Sequence, residues 1–509
     1  MPVLTRIKPN LYKDSVALMR IAERILQDPA ITRATLVMGT PANTEILAEA
    51  GLLDRDAAAA GPSDLIIVVE GRAGAVLDEA FAAIETALTA SARPSGPVQE
   101  IIPRSIVMAM AGDPGANVAQ ISVPGAYAGA EALKAIKAGL NVFLFSDNVP
   151  IEQERTLKNL ARARGLLIMG PDCGTAIIAG VPLGFANVVR RGSVGLIGAS
   201  GTGLQEVSCQ IHLQGAGISH AIGTGGRDVK AEVGGITMLM ALDLLAADPD
   251  TAVIGIVSKP PAPAVMQAVM DRAATAGKPV VVCFLGGADI TLPANVAQTG
   301  DLYACAKACV AHVRSGDQAP VTVPDSPVLR FSPGQRYVRG LFSGGTFCTE
   351  AQVALAALGL DCHSNVPLKP AFALAHLDRS TGHTMLDLGD DEFTVGRPHP
   401  MIDPSTRVAR IAAEAADPET AVLLIDIVLG YAGHSDPAGA LAGAIRAARG
   451  QAVAAGRELA VVAFVCGTEE DPQVRSNQER ILREAGALVA PSSSQAARLA
   501  ASMVAKGSA

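Results

Sequence analysis

Apolar positions along this chain cluster in short runs, separated by longer stretches with helical spacing. The first segment, about 1–190, holds "ATLVMGT", "DLIIVVE", "AQISVP", "NVFLFSD" and "GLLIMGPD". Between the third and fourth lies "GAYAGAEALKAIKAGL", an Ala/Leu/Lys helix ending at Gly139. A second helical pattern, 151–164, leads into the next run. Strand, helix, strand at this spacing predicts βαβ units of a parallel sheet. The second segment, 191–316, repeats the pattern with "VGLIGAS", "SHAIGTGG", "TAVIGIVS" and "PVVVCFLGG". The third, 337–509, has "VRGLFSGGT", "TMLDLGDD", "AVLLIDIVLG" and "LAVVAFVCGT". A Pro-rich stretch, 318–335, stands between them and favours an extended spacer.

The second and third segments read as copies. Each opens with a strand, a glycine turn ("GASGTG"; "FSGGT") and a helix. Each has a second strand ending in a Gly/Asp loop, and each carries nearly the same phrase, "AADPDTAVIGIV" and "AADPETAVLLIDIV". The third segment has an insertion of roughly 25 residues before "TMLDLG". The expected architecture is α/β: a Rossmann-like domain over 1–190, then two flavodoxin-like domains over 191–316 and 337–509.

Composition narrows the function. The 509 residues are 49% apolar and carry a net charge of −8; aromatics are 3% and Trp is absent. That excludes disorder and argues against a base-stacking or polyanion-binding surface. The start has no apolar signal region and no run spans a membrane, so a cytoplasmic protein is expected. The eight cysteines are scattered; Cys305 and Cys309 lie four apart on an expected helix, no Cys or His but His312 lies near them with zinc-site spacing, and no metal is expected. Cys173 follows a strand and is a weak candidate for an activated thiolate.

Backbone N–H groups of a glycine turn converge beyond the carboxyl end of a parallel strand, backed by the positive end of the next helix. Ser200, Gly201, Thr202 and Gly203 in the first turn, and Gly344, Gly345 and Thr346 in the second, are therefore candidates for a phosphate or similar anion. The loop "GTGGRD" adds Gly225, Gly226, Arg227 and Asp228; the guanidinium suits a carboxylate or phosphate. The turns match neither a dinucleotide fingerprint nor a Walker loop. The densest polar cluster is "LDLGDDEFTVGRPHPMIDP" (386–404), with Asp387, Arg397 and His399. Arg397 and His399 can bind a carboxylate and move a proton, and His434, at the end of a strand, is a further acid–base candidate.

With these motifs in view, a family resemblance emerges. "ISVPGAYAGAEALKAIKAGLNVFLFSDN" and "GLLIMGPDCGT" resemble the CoA-binding domain of succinyl-CoA synthetase α subunits. The second segment resembles the ligase domain of the α subunit and the third that of the β subunit. "MGTPAN", "IGASGTG", "HAIGTGGRD", "EVGGI", "VSKPP", "DLGDDEFTVGRPHPMIDP" and "GTEEDPQ" resemble the signatures of the FdrA family of acyl-CoA-synthetase-like proteins. The histidine that succinyl-CoA synthetases phosphorylate has no counterpart in "FLGGADITLPANVAQTG" (284–300), and no segment resembles an ATP-grasp domain. The family's CoA turn is replaced by "MGTPANTE".

The resemblance implies one subunit of a multi-protein, oligomeric enzyme acting on a small molecule. The expected reaction is oxamate carbamoyltransferase-type: phosphorolysis of a ureido acid to carbamoyl phosphate, with inorganic phosphate as co-substrate. The alternatives are an acyl-CoA synthetase that uses CoA with a partner ATP-binding subunit, and a non-catalytic ligand-binding scaffold. Neither nucleic acid nor membrane is an expected partner.

Overall fold

A computed structural model describes residues 2–11, 13, 15–72, 77–90, 103–288, 290–315, 323–324, 330–394 and 397–505. Much of the expected spacer at 318–335 lies outside the described residues. The chain divides into two compact units, Met1–Pro103 with Thr394–Pro398, and Arg104–Phe393 with His399–Ala509.

The first unit is built on strands β1 (Val3–Lys8), β2 (Ile31–Met38) and β3 (Leu65–Gly71) in the order β1-β3-β2, with both pairings antiparallel. The sequence reading grouped the β2 and β3 runs with the parallel segment that follows and did not register β1. The reason is local: β1 mixes Arg6 and Lys8 with apolar residues and is only half-buried, so it presents no apolar run. Alternate residues of β3 serve two layers. Leu65, Ile67 and Val69 pack with Leu18, Ile25, Phe81 and Ile84, whereas Ile66 and Val68 pack with Leu47 and Ala57.

The second unit begins with the parallel sheet the spacing predicts: β4 (Val118–Ile121), β5 (Asn141–Leu144) and β6 (Ile168–Met169), in chain order. A hairpin of β7 (Thr175–Ile178) and β8 (Val181–Gly184) then joins the middle lobe. That lobe comprises β9 (Arg191–Gly198), β10 (Ile218–Gly223), β11 (Val253–Ser258), β12 (Val280–Phe284) and β13 (Val296–Gln298), ordered β13-β12-β11-β9-β10-β7-β8. The C-terminal lobe comprises β14 (Tyr337–Phe342), β15 (Cys362–Ser364), β16 (His383–Asp387), β17 (Thr420–Val428), β18 (Ala460–Cys466) and β19 (Leu488–Ala490), ordered β15-β16-β14-β17-β18-β19. The order β13-β12-β11-β9-β10 matches β19-β18-β17-β14-β16 strand for strand, which is the duplication read from the sequence. The insertion supplies β15. The long apolar runs follow from burial on both faces of a parallel sheet: all of β11 and all of β17 are buried.

The lobes meet through four helices, Gly201–Leu213 and Leu302–Val313 from the middle lobe and Gly345–Ala356 and Ser493–Ala505 from the C-terminal lobe. Their contacts obey a local two-fold relation. Glu206 accepts a hydrogen bond from the Ser493 N–H at 3.2 Å, at the start of the other lobe's last helix. Glu350, its counterpart, accepts one from the Leu302 N–H at 2.8 Å. Both carboxyls are buried, and burial pushes Glu350 up to about 8. Asp471, from "GTEEDPQ", binds across the same seam, accepting from the Val188 N–H at 2.7 Å and the Asn187 amide at 2.8 Å.

Candidate functional site

The site grows from the two strand-to-helix turns. Ser200 caps helix Gly201–Leu213, its Oγ accepting from the Gly203 N–H at 3.0 Å. The same hydroxyl hydrogen-bonds Thr346 Oγ1 of the other turn. The related contact is also present: an ideal Cβ on Gly344 would lie 2.8 Å from Thr202 Cγ2. Two helix N-termini therefore meet head to head. Each carries the equivalent of about half a positive charge, so their approach is unfavourable unless negative charge lies close by. Gly201, Thr202, Gly345 and Thr346 are all half-buried and retain access to solvent.

Asp387 ends β16 at this junction. It is 8% exposed, and an ideal Cβ on Gly345 would fall 2.3 Å from its Oδ2, so a side chain at that position would displace the carboxylate. Its Oδ1 accepts from the Gly389 N–H at 3.0 Å. Burial pushes this carboxyl up to about 7, and Asp390 adds to the shift while Lys259 opposes it. Lys259, an exposed residue just past β11, is thus close enough to act on the junction electrostatically.

The remaining candidates separate. Asp228 is a structural anchor: it caps helix Ile236–Ala247 through the Thr237 and Met238 N–H groups at 3.1 and 2.9 Å, and it pairs with Lys158 at 2.7 Å. Arg227 is already engaged, by Glu154 at 3.0 Å and the Val149 carbonyl at 2.8 Å. Gly225 takes φ +79° where a side chain would strike the Pro171 carbonyl; Gly226 is exposed beside it. Asp172 follows the cis Gly170–Pro171 bond. Although the residue is exposed on the surface, desolvation in its crevice raises its carboxyl to about 7, and Asp147 and Asp391 add to this.

His399 stacks on Phe185 at 5.8 Å, and its Nδ1 accepts from the Met401 N–H at 3.2 Å. Burial pushes it down to about 4, helped by the charge of Arg407, so the imidazole is neutral near pH 7. The Met401 carbonyl in turn accepts from the His434 N–H at 2.8 Å, which brings both candidate histidines to one loop. His434 Nδ1 accepts from the Asp436 N–H at 3.0 Å, at the entrance to helix Pro437–Ala454. Arg397 is exposed, its own N–H donating to the Thr394 carbonyl, and it groups with the first unit rather than with His399. Cys173 is buried and its thiol is pushed up to about 12, opposite to an activated thiolate.

Sequence reading missed Lys259, Asp426 and Arg407. Asp426 had a legible signal: it is the lone charge in the apolar run "AVLLIDIV". Its carboxylate accepts from the Ser343 and Gly344 N–H groups, each at 3.0 Å, and pairs with Arg407 at 2.8 Å.

Comparison with known proteins fits this geometry. Residues 341–503 match the CoA-ligase family model and 189–287 the CoA binding domain model. Residues 1–101 match the model described as AllF, heavy metal-associated domain. They contain neither cysteine nor histidine, so thiolate and imidazole donors are missing from that stretch. Uncharacterized protein YahF of Escherichia coli strain K12 is 43% identical over 514 residues, covering 100% of this chain and 99% of that one. The α subunit of an ADP-forming succinate–CoA ligase from Aquifex aeolicus strain VF5 is 30% identical over 149 residues, 28% of this chain and 47% of its own length. A dinucleotide-forming acetyl-coenzyme A synthetase 1 from Ca. Korarchaeum cryptofilum aligns with a TM-score of 0.32 at 16% identity, over 76% of this chain and 82% of its own, and adds nothing to the sequence matches. Among the described residues no helix is long and apolar enough to cross a membrane. The duplicated lobes, the ordered motifs and the full-length match together place the chain in the FdrA family of acyl-CoA-synthetase-like proteins, with a succinyl-CoA-synthetase-type fold.

Proposed function

We propose that this chain is an acyl-transferring enzyme of the CoA-ligase type, holding the phosphate end of an acyl phosphate where its two lobe helices meet. The observation that carries this is the hydrogen bond between Ser200 and Thr346, which brings two helix N-termini together from duplicated turns. The Gly201 and Thr202 N–H groups and the two hydroxyls would bind phosphate oxygens. Donors fixed in place before reaction stabilise the charge left on phosphate when the acyl–oxygen bond breaks. Asp387, protonated below about pH 7, donates rather than repels at this point. No histidine in 284–300 is available to carry phosphate, so the transfer is direct.

The crevice around Arg227 does not suit the phosphates of CoA, because the guanidinium is taken by Glu154 and flanked by Asp147, Asp172 and Asp391. Those carboxylates favour a second reading, in which the acyl group is a carbamoyl group whose N–H donors they accept. One assay separates the readings. The purified chain, alone and with co-expressed partner subunits, is given acyl phosphates with CoA, and ureido acids with inorganic phosphate. Thioester formation supports the first reading and carbamoyl phosphate the second. Ser200→Ala is expected to lower the active rate by roughly 10²–10³-fold, the range seen for loss of an oxyanion donor. An unchanged rate in that variant contradicts both.

A further inference from the structure

The two glycine turns descend from one duplicated unit, yet their surroundings differ. In the C-terminal lobe the carboxylate of Asp426 sits inside the turn. It accepts from the Ser343 N–H with both oxygens at 3.0 Å, from the Gly344 N–H at 3.0 Å and from Ser343 Oγ at 2.8 Å. Arg407 holds its other side at 2.8 Å and is fixed by the Leu341 and Asp426 carbonyls at 3.1 and 2.6 Å. Asp426 is 0% exposed and Arg407 3%. Backbone amides, a hydroxyl and a guanidinium converging on two oxygens are the groups that receive an oxyanion.

Among the described residues, the matching place in the middle lobe holds no such group. β11 pairs with β9 so that Val257 faces Gly198. The matching place in the C-terminal lobe, one residue beyond the Leu341–Ile425 pair, is Asp426. Val257 turns an apolar branch toward the middle turn, its Cγ1 lying 3.0 Å from an ideal Cβ on Gly203.

We infer that Asp426 serves as a built-in anion that fills the C-terminal turn, so that the chain takes one phosphate-type ligand, at the middle turn, rather than one at each. The ligand half of this statement rests on the proposed function; the filling of the C-terminal turn does not. The same carboxylate explains how the two positive helix ends can abut in the free protein: one of them already faces negative charge.

The test removes the internal anion and offers it from outside. Asp426→Ala in the full chain is expected to melt at lower temperature than wild type, and added sodium formate is expected to restore part of the loss while sodium chloride does not. Wild type should show no formate-specific rise. An equal response of variant and wild type overturns the inference. Should the variant fail to fold, hydrogen exchange of wild type in inorganic phosphate decides. Protection is expected for the Gly201 and Thr202 amides, with those of Ser343 and Gly344 unchanged; phosphate-induced protection of Ser343 and Gly344 overturns it. Protection at neither turn, with formate rescue intact, sinks the phosphate-binding function and leaves the role of Asp426 standing.

Discussion

Single residues set the pH behaviour of this molecule. Glu350 and Asp387 have folded values of about 8 and about 7, above the ordinary carboxylate range near 4. For a carboxyl raised in this way, stability is full below the unfolded value and is lost as pH rises through the folded one. Urea midpoints are therefore expected to fall between pH 5 and pH 9. Glu350→Gln keeps an acceptor for the Leu302 N–H and should flatten the upper part of that fall; an unchanged slope would contradict the buried-acid assignment. His399 and His383 act with the opposite sign. Each is pushed down to about 4, so the stability they allow is present above about 6.5 and is lost as pH falls through 4. Residue types alone did not reveal these shifts. His399 and His434 were recognisable as polar residues in a rigid loop, but what their Nδ1 atoms accept depends on the backbone of Met401 and Asp436.

Elements explain how the site is held open. Each lobe's first helix reaches across the seam to the start of the other lobe's last helix, through Glu206 and Glu350. Glu350→Ala leaves the Leu302 N–H buried without this partner, which costs about 1–3 kcal/mol. Glu206→Ala should cost a similar amount at Ser493, and the double variant should lose less or more than the sum, because the two carboxyls influence one another. A chemical-denaturation cycle checks this, and strict additivity would show that the clamps act independently. Elements were also what the sequence displayed best. Parallel strands buried on both faces read as continuous apolar runs, and so β9–β12, β14 and β16–β18 were largely legible, whereas the short β15 within the insertion was not. Nor was β1, half-buried and antiparallel, because Arg6 and Lys8 leave it without an apolar run.

At the scale of the whole molecule, duplication made the middle and C-terminal lobes recognisable, while divergence between the copies hid their difference in role. The turns look alike as strings; what separates them is a residue on a later strand, Asp426 against Val257. The seam between the lobes is polar and specific: Asp471 accepts from Val188, Asn187 and Thr468 at 2.7, 2.8 and 2.8 Å. Asp471→Ala is expected to split the cooperative melting of the two lobes into separate calorimetric transitions, whereas a single transition at lowered temperature would mean that the helices alone couple them. The most direct measurement concerns the place where the two helix ends meet. Anomalous diffraction from selenate-soaked crystals should show a peak beside the Gly201 and Thr202 amides, within reach of Ser200 and Thr346. A clean map at that junction, with selenate bound elsewhere in the same crystal, would contradict the account.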